Sequence, residues 1–222
     1  YFSAGVERIS TSDDLSHDTA SVEYKRKNAT TKTQYGIRAE KHRFKNPAYK
    51  HDGKSVYIQG STYITPNVQL NAGAGSMRIS RLGSAAAKKS FTPYHIGVQA
   101  QLGQRAQVSV RQERVPAYIR HTMAGKNGDI LIDDTTSIEL KTRPFKRVQA
   151  NLSHQNSKLS DGNRGRKTTA GVYYGVTPNI WVGVEGSQRG YDRQDPSYWT
   201  PKKYRSYAAT LDASMPLSER SR

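Results

Sequence analysis

Hydrophobic residues recur at every second position along most of the chain and almost never form runs. One phase reads Phe2, Ala4, Val6; Ala20, Val22, Tyr24; and Tyr35, Ile37, Ala39. It continues with Val56, Ile58, Gly60, Thr62, Ile64, with Val68, Leu70, Ala72, Ala74, and with Tyr94, Ile96, Val98, Ala100, Leu102. Further on come Ala106, Val108, Val110; Ile138, Leu140; Val148, Ala150, Leu152; and Ala170, Val172, Tyr174, Val176. The series closes with Ile180, Val182, Val184 and with Tyr207, Ala209, Leu211, Ala213, Met215. Successive side chains of a strand point to opposite faces, so this period predicts strands with one apolar face each.

The alternate phase of the same segments is polar. It holds Glu7, Glu23, Gln34, Arg38, Glu40, Tyr57, Gln59, Tyr63, Gln69 and Asn71, then His95, Gln99, Gln101, Gln107 and Arg111. Glu139, Lys141, Gln149, Asn151, Tyr173, Trp181, Glu185 and Asp212 complete it. Charged residues make up 24% of the chain, yet the apolar phase contains none. A soluble β-sandwich also alternates. Its core, however, is filled by bulky Leu, Ile and Phe, whereas here the apolar phase is rich in Ala, Gly, Val and Tyr. The large neutral polar residues opposite suit a wet interior better than a free surface. The pattern therefore predicts an all-β fold, a transmembrane up-and-down antiparallel β-barrel. About twelve strands are visible, compatible with part of a larger barrel of roughly 14 to 18 strands. On this reading Val56, Ile96, Val182 and Leu211 face lipid; against a second sheet they would be buried in a dry centre.

The connections alternate too. Compact reversals are predicted at Thr65-Pro66-Asn67, Gly103-Gln104-Arg105, Arg143-Pro144-Phe145-Lys146 and Thr177-Pro178-Asn179, where Pro fixes φ and Asn or Gly tolerates a turn. Longer polar stretches lie between them: Lys45 to Lys54, Ser80 to Pro93, Val115 to Asp134, Lys158 to Lys167 and Tyr191 to Lys203. Short turns at one end and long loops at the other describe an outer-membrane barrel with its long loops outside the cell.

Composition narrows the choice further. Only 34% of the 222 residues are hydrophobic and the mean hydropathy is -0.82, so no segment approaches the ~20 apolar residues of a membrane helix. Cysteine is absent, which removes disulfides and thiolate chemistry. The net charge of +17 implies an anionic partner. The surplus cations fall at reversals and in loops: Lys25, Arg26, Lys27 and Lys32; Arg143, Lys146 and Arg147; and Arg78, Arg81, Lys88 and Lys89. Outer-membrane lipid and lipopolysaccharide are the expected anions. Nucleic acid is not, because no strand face gathers cations with stacking aromatics. We expect one barrel domain over residues 1–222, excised from the C-terminal region of a longer protein.

Three segments carry a family resemblance. Asp195-Pro196-Ser197-Tyr198-Trp199-Thr200-Pro201-Lys202-Lys203-Tyr204 resembles the aromatic-Pro-Tyr box of exopolysaccharide-export porins that carry helical repeats upstream. These are the cellulose-export, poly-N-acetylglucosamine-export and phage-adsorption (NfrA-like) proteins. Arg111-Gln112-Glu113-Arg114-Val115-Pro116, continued to Ala124-Gly125, is similar to their Arg-x-Pro-Val loop, but has Val-Pro where the cellulose type has Pro-Val. Tyr173-Tyr174-Gly175-Val176-Thr177-Pro178-Asn179 resembles their penultimate turn. The resemblance implies an outer-membrane conduit docked to a periplasmic helical-repeat scaffold.

The candidate site follows from the two faces. Glu23, Arg38, Glu40, Tyr57, Gln59, Tyr63, His95, Gln99, Arg111, Glu139, Lys141, Tyr173, Trp181, Glu185 and Asp212 are expected to line the lumen. There they would offer opposed charges and aromatic faces to a passing sugar, or merely neutralise one another in water. Arg114, Tyr118, Arg120, Tyr198, Trp199 and Tyr204 are candidate loop residues for external binding. The acidic pairs Asp13-Asp14 and Asp133-Asp134 lack calcium-loop spacing. None of the six histidines forms a metal motif. No Gly-x-Ser-x-Gly element suggests a hydrolase. Neither metal nor cofactor is expected. The reading is a passive, non-enzymatic pore for a secreted polysaccharide. Adsorption of a phage tail protein is the alternative, and a barrel hydrolase or a nucleic-acid-binding β protein stands further behind.

Overall fold

The computed structural model describes residues 1–10, 16–45, 50–82, 88–117, 130–195 and 200–213. The period-two segments are strands, joined in chain order. The first five are β1 (Phe2–Ser10), β2 (Ser16–Asn28), β3 (Thr33–Lys45), β4 (Lys50–Thr65) and β5 (Val68–Leu82). A short β6 (Lys88–Phe91) precedes β7 (Tyr94–Leu102), β8 (Ala106–Pro116) and β9 (Ile132–Phe145). The remainder are β10 (Val148–Leu159), β11 (Arg164–Thr177), β12 (Ile180–Tyr191) and β13 (Tyr204–Ala213). All thirteen belong to one antiparallel up-and-down sheet, with β6 hanging from β5 outside the main path. Among the described residues β1 and β13 pair only with β2 and β12, so the sheet is a wall with two edges.

Turn chemistry sets the register at one end. Pro66-Asn67, Gly103-Gln104-Arg105 and Pro178-Asn179 are tight reversals, and Gly103 takes the positive φ of 64° that its turn needs. The third reversal is Lys146-Arg147; Arg143, Pro144 and Phe145 belong to β9, contrary to expectation. The opposite end differs more from the sequence reading. Much of Lys45 to Lys54 and of Lys158 to Lys167 is strand, leaving links of 46–49 and 160–163. Arg78 and Arg81 lie on β5, Lys88 and Lys89 on β6, and Lys25, Arg26 and Lys27 on β2, so these cations sit on strands rather than in loops. Loops look polar and so do strand ends that leave the bilayer; composition cannot separate the two.

The apolar phase forms an exposed belt. Val56 is 53% exposed, Ile96 49%, Val182 39% and Leu211 72%, and no second sheet covers them. The belt begins at the short turns, with Ile64, Leu102 and Val176 beside them. At the other end the strands overshoot. β4 has 16 residues and β5 has 15, against the ~9–11 a tilted strand needs to cross a bilayer. In the overshoot the two faces exchange character. Outward positions become Lys41, Arg43 and Lys45 on β3, Lys54, Asp52 and Lys50 on β4, and Arg78 on β5, all in the phase of Val56. Inward positions become Phe44, Met77 and Ile79, each fully buried.

These inward residues pack with Ile130, Ile132 and the partly buried Phe91. A second cluster joins Leu131 and Ala117 to Leu159 and Tyr191, the last residues of β10 and β12. The described residues at the end of β8 and the start of β9 thus join two clusters, Ile130 and Ile132 packing on β3 and β5, and Ala117 and Leu131 on β10 and β12. Two polar contacts pin them: Lys89 Nζ donates to the Ile130 carbonyl at 3.0 Å, and the Ile132 N–H donates to Ser160 Oγ at 3.1 Å.

The dry inner cluster and the lipid-facing belt predict different sensitivities. Phe44→Ala, which empties a filled site, is expected to lower unfolding stability in detergent by about 3 kcal/mol. Val56→Ala, which only exchanges one lipid contact for another, should cost less than about 1 kcal/mol. Denaturant titration of both variants checks the order.

Candidate functional site: the inner face of the wall

Charge on the inner face is organised along single strands. Residues two apart point the same way, so a carboxylate and a cation spaced by two meet on one face. Four such rungs are formed: Glu23–Lys25 on β2 at 2.7 Å, Arg38–Glu40 on β3 at 2.6 Å, Arg111–Glu113 on β8 at 2.6 Å, and Glu139–Lys141 on β9 at 3.2 Å. Neighbouring strands add to them. Gln59 on β4 donates its amide to Glu23. Glu40 also accepts from Ser55 Oγ at 3.2 Å and contacts His42 Nε2 at 3.1 Å. Thr19 Oγ1 lies 3.3 Å from both His17 Nε2 and His42 Nδ1, whose rings stack 5.6 Å apart.

Aromatic rings on this face lie flat, and glycine is the reason. Tyr173 on β11 stands directly opposite Gly183 on β12, Trp181 opposite Gly175, and His95 on β7 opposite Gly73 on β5. A Cβ at Gly183 would fall 2.4 Å from Tyr173 Cδ1; at Gly73 it would fall 2.5 Å from His95 Cε1. Each ring thus occupies the place of the missing side chain instead of projecting into the lumen. The Tyr173 hydroxyl donates to Glu185 at 3.0 Å and accepts from the Asn151 amide at 3.2 Å. Arg143 sits 5.5 Å from the Trp181 ring centroid, within cation–π range.

Two concavities open on the wall. One of about 400 Å³ is lined by Gln101, Gln107, Lys141, Gln149, Asn151 and Tyr173. The other, of about 350 Å³, gathers Arg38, Glu40, Tyr57, His95, Arg111 and His42. Among the described residues no three metal-binding side chains come together.

The lumen-lining candidates are distributed accordingly. Arg38, Glu40, Tyr57, Gln59, His95 and Arg111 surround the second concavity, with Glu23 bonded to Gln59 beside it. Lys141 and Tyr173 line the first, with Glu139 and Glu185 bonded to them. Gln99 pairs with Gln69 and Ser109, and Asp212 stands opposite Trp181 on the edge strand. Tyr63 lies near the short-turn rim, its ring 5.9 Å from Lys32 Nζ. Of the loop candidates, Arg114 is on β8 and 3.7 Å from Asp134, while Tyr204 is the first residue of β13, so neither is a loop residue. Tyr118, Arg120, Tyr198 and Trp199 lie outside the described residues. His17, Thr19, Ser55 and Glu113 were not expected. His17, Thr19 and Ser55 share the phase of Glu23, Glu40 and Tyr57 but lie above the belt, where the alternation of apolar residues stops.

No protein-family profile and no curated protein matches the chain. Solved structures do resemble it. The FrpB iron transporter of Neisseria meningitidis superimposes with a TM-score of 0.61 at 13% identity, over 91% of this chain and 41% of that one. A loop-deletion form of OmpT, an outer membrane protein of Vibrio cholerae, gives 0.54 at 14% identity, over 90% and 64%. The NanC porin gives 0.50 at 8% identity, over 96% and 99%. The chain has the fold of a bacterial outer-membrane β-barrel. Its apolar belt is the lipid-facing surface of that fold, and its polar phase is the inner one. The chain spans well under half the length of the iron transporter.

The glycine–ring pairing makes a specific demand. Gly183→Val would set a branched side chain against the Tyr173 ring and within 2.8 Å of the Val172 carbonyl oxygen. We expect a destabilisation of about 1–3 kcal/mol and loss of the Tyr173–Glu185 bond. Denaturant unfolding, with tyrosine absorbance above pH 9, reads both.

Proposed function

We propose that the chain forms the wall of an outer-membrane channel that passes a hydrated, uncharged sugar polymer without acting on it chemically. The observation that carries this reading is the inner face itself. Flat rings of Tyr173, Trp181 and His95 alternate with amides of Gln59, Gln101, Gln107, Gln149 and Asn151. Four carboxylates of this face, Glu23, Glu40, Glu113 and Glu139, are occupied by cations two residues away, and Glu185 accepts from the Tyr173 hydroxyl. A sugar has apolar ring faces and hydroxyl edges; rings receive the first and amides the second. A face with four of its carboxylates paired in this way exerts little net field on a neutral chain and does not trap it. Movement is then driven from behind by synthesis.

Closure of the wall belongs to the same reading. In lipid the free edges of β1 and β13 need partners. The better superposition on part of a large barrel than on a small porin covered almost whole, 0.61 against 0.50, supports a wide curvature. The adsorption alternative rests on loop residues largely outside the described ones, and no described observation favours it over the channel.

Liposome swelling with the refolded chain tests the channel. Neutral oligosaccharides are expected to enter. Tyr173→Ala with Trp181→Ala should slow their entry severalfold while leaving small-ion conductance equal or higher, because a sliding surface is lost and no obstacle is added. Ile130→Asp with Ile132→Asp, which makes the start of β9 polar, should raise conductance by freeing the mouth. Oligosaccharide entry unaffected by the aromatic pair would overturn the sugar reading.

A further inference from the structure

We propose that the outward face of β3, β4 and β5, immediately beyond the apolar belt, binds the phosphorylated headgroup of an outer-leaflet glycolipid. The inference rests on the wall lying in an outer membrane and not on what passes through its lumen.

The observation is a row of three cations in register. Lys41 is paired with Lys54, and Lys54 with Arg78, on three successive strands. Directly paired residues lie ~4.5–5.5 Å apart at Cα, so the three charges fall within about 11 Å. Like charges directly opposite one another destabilise a sheet. All three are exposed, and no ion pair forms to any of them among the described residues. Their row continues through Ala20 on one side and Ser90 on the other, so nothing within it compensates them.

The neighbouring rows set this row of three apart, although a further like-charged pair, Lys45 and Lys50, stands at the strand ends. One step towards the mouth the cations of β1 and β3 have carboxylate neighbours, Asp18 pairing with Arg43 and Arg43 with Asp52, and Lys88 beyond Ser80 is the one cation in excess. Arg8 holds Asp18 at 3.0 Å, and Arg43 Nε is 3.3 Å from Asp52. One step towards the membrane the row is Ala39, Val56 and Ser76, followed by Ile37, Ile58 and Ala74. A cationic row without any carboxylate thus lies between a row of mixed charge and the grease.

That order selects an amphiphile. A ligand placing phosphates on Lys41, Lys54 and Arg78 lays whatever is attached below them along Val56 and Ile58, which are 53% and 68% exposed. Acyl chains gain from that contact, whereas a soluble phosphate, a nucleic acid or an acidic polysaccharide does not. The row is also on the long-loop side, which in outer-membrane barrels faces the outer leaflet. A diphosphorylated acylated sugar of the lipid A type has the matching chemistry: at least two anionic groups on a rigid head, above several chains.

The test is a melting experiment on the full chain refolded in detergent. The variants are K41Q/K54Q/R78Q and, as control, K146Q/R147Q in a short turn at the opposite end. In detergent alone the triple variant should melt at or above the parent, because repulsion has been removed. With bisphosphorylated lipid A the order should reverse: parent and control shift upward, and the triple variant shifts only at ten-fold or more higher lipid. Monophosphorylated lipid A should act more weakly, and inorganic phosphate at equal phosphate concentration should have no effect. An equal lipid A response in the triple variant overturns the site. An equal response to inorganic phosphate overturns the glycolipid. Should the triple variant fail to give the folded, heat-shiftable gel band, K54Q alone, at the centre of the row, carries the same comparison. A parent chain that stays dispersed without detergent would instead remove the membrane assignment on which the site depends.

Discussion

Within a bilayer no water is available to a peptide group, so each backbone donor and acceptor must find its partner in a neighbouring strand. The long, nearly unbroken ladders answer this constraint. β2 and β3 pair without a slip from Ser16–Lys45 to Asn28–Thr33. Among the described residues, register irregularities occur only beside short turns, at Tyr63/Thr65, Val148/Ala150 and Gly175/Thr177. Once register is fixed, a period of two decides everything else. It determines which residues meet lipid, which share a rung, and which aromatic ring finds a glycine across from it.

The same register explains how one strand serves two solvents. Along β5 the outward phase runs from Leu70 and Ala72 to Arg78, while the inward phase runs from Gln69 and Asn71 to Met77 and Ile79. The lower half is apolar outside and wet inside; the upper half is polar outside and dry inside. No change of backbone is required, only a change in which alternate position carries carbon. Above the bilayer the wall follows the logic of an ordinary water-soluble sheet and needs a core, to which Ala117 and Ile130 to Ile132 contribute.

Much of this was legible in the sequence, and the part that was not has a common cause. The belt could be read from Val56, Ile58, Val98 and Val184, because alternation is a local signal carried by consecutive residues. The opposite face could be read as its complement, and Glu23, Arg38, Lys141 and Tyr173 all fall in that phase of the strands. Phe44, Met77 and Ile79 escaped because they stand in the polar phase, beyond the point where the outward apolar series ends. The partnership of Ile130 with Phe44 joins segments far apart in sequence, and no spacing rule reaches that far. The placement of Lys41, Lys54 and Arg78 in a single row needed the register of two hairpins at once. Arg78 itself looked like loop sequence, since a strand emerging into water loses the apolar residues that mark it.

The rings lying against glycine carry a consequence for how such a wall changes over time. Where Tyr173 covers Gly183 and Trp181 covers Gly175, the clearance of the passage is set by main chain on one strand and by a ring on the next. Neither position controls the aperture alone. Enlarging one residue evicts its partner, and shrinking the ring leaves bare backbone exposed to water. The relief of the inner face is therefore held by couples: altering it at these places requires exchanging both members together.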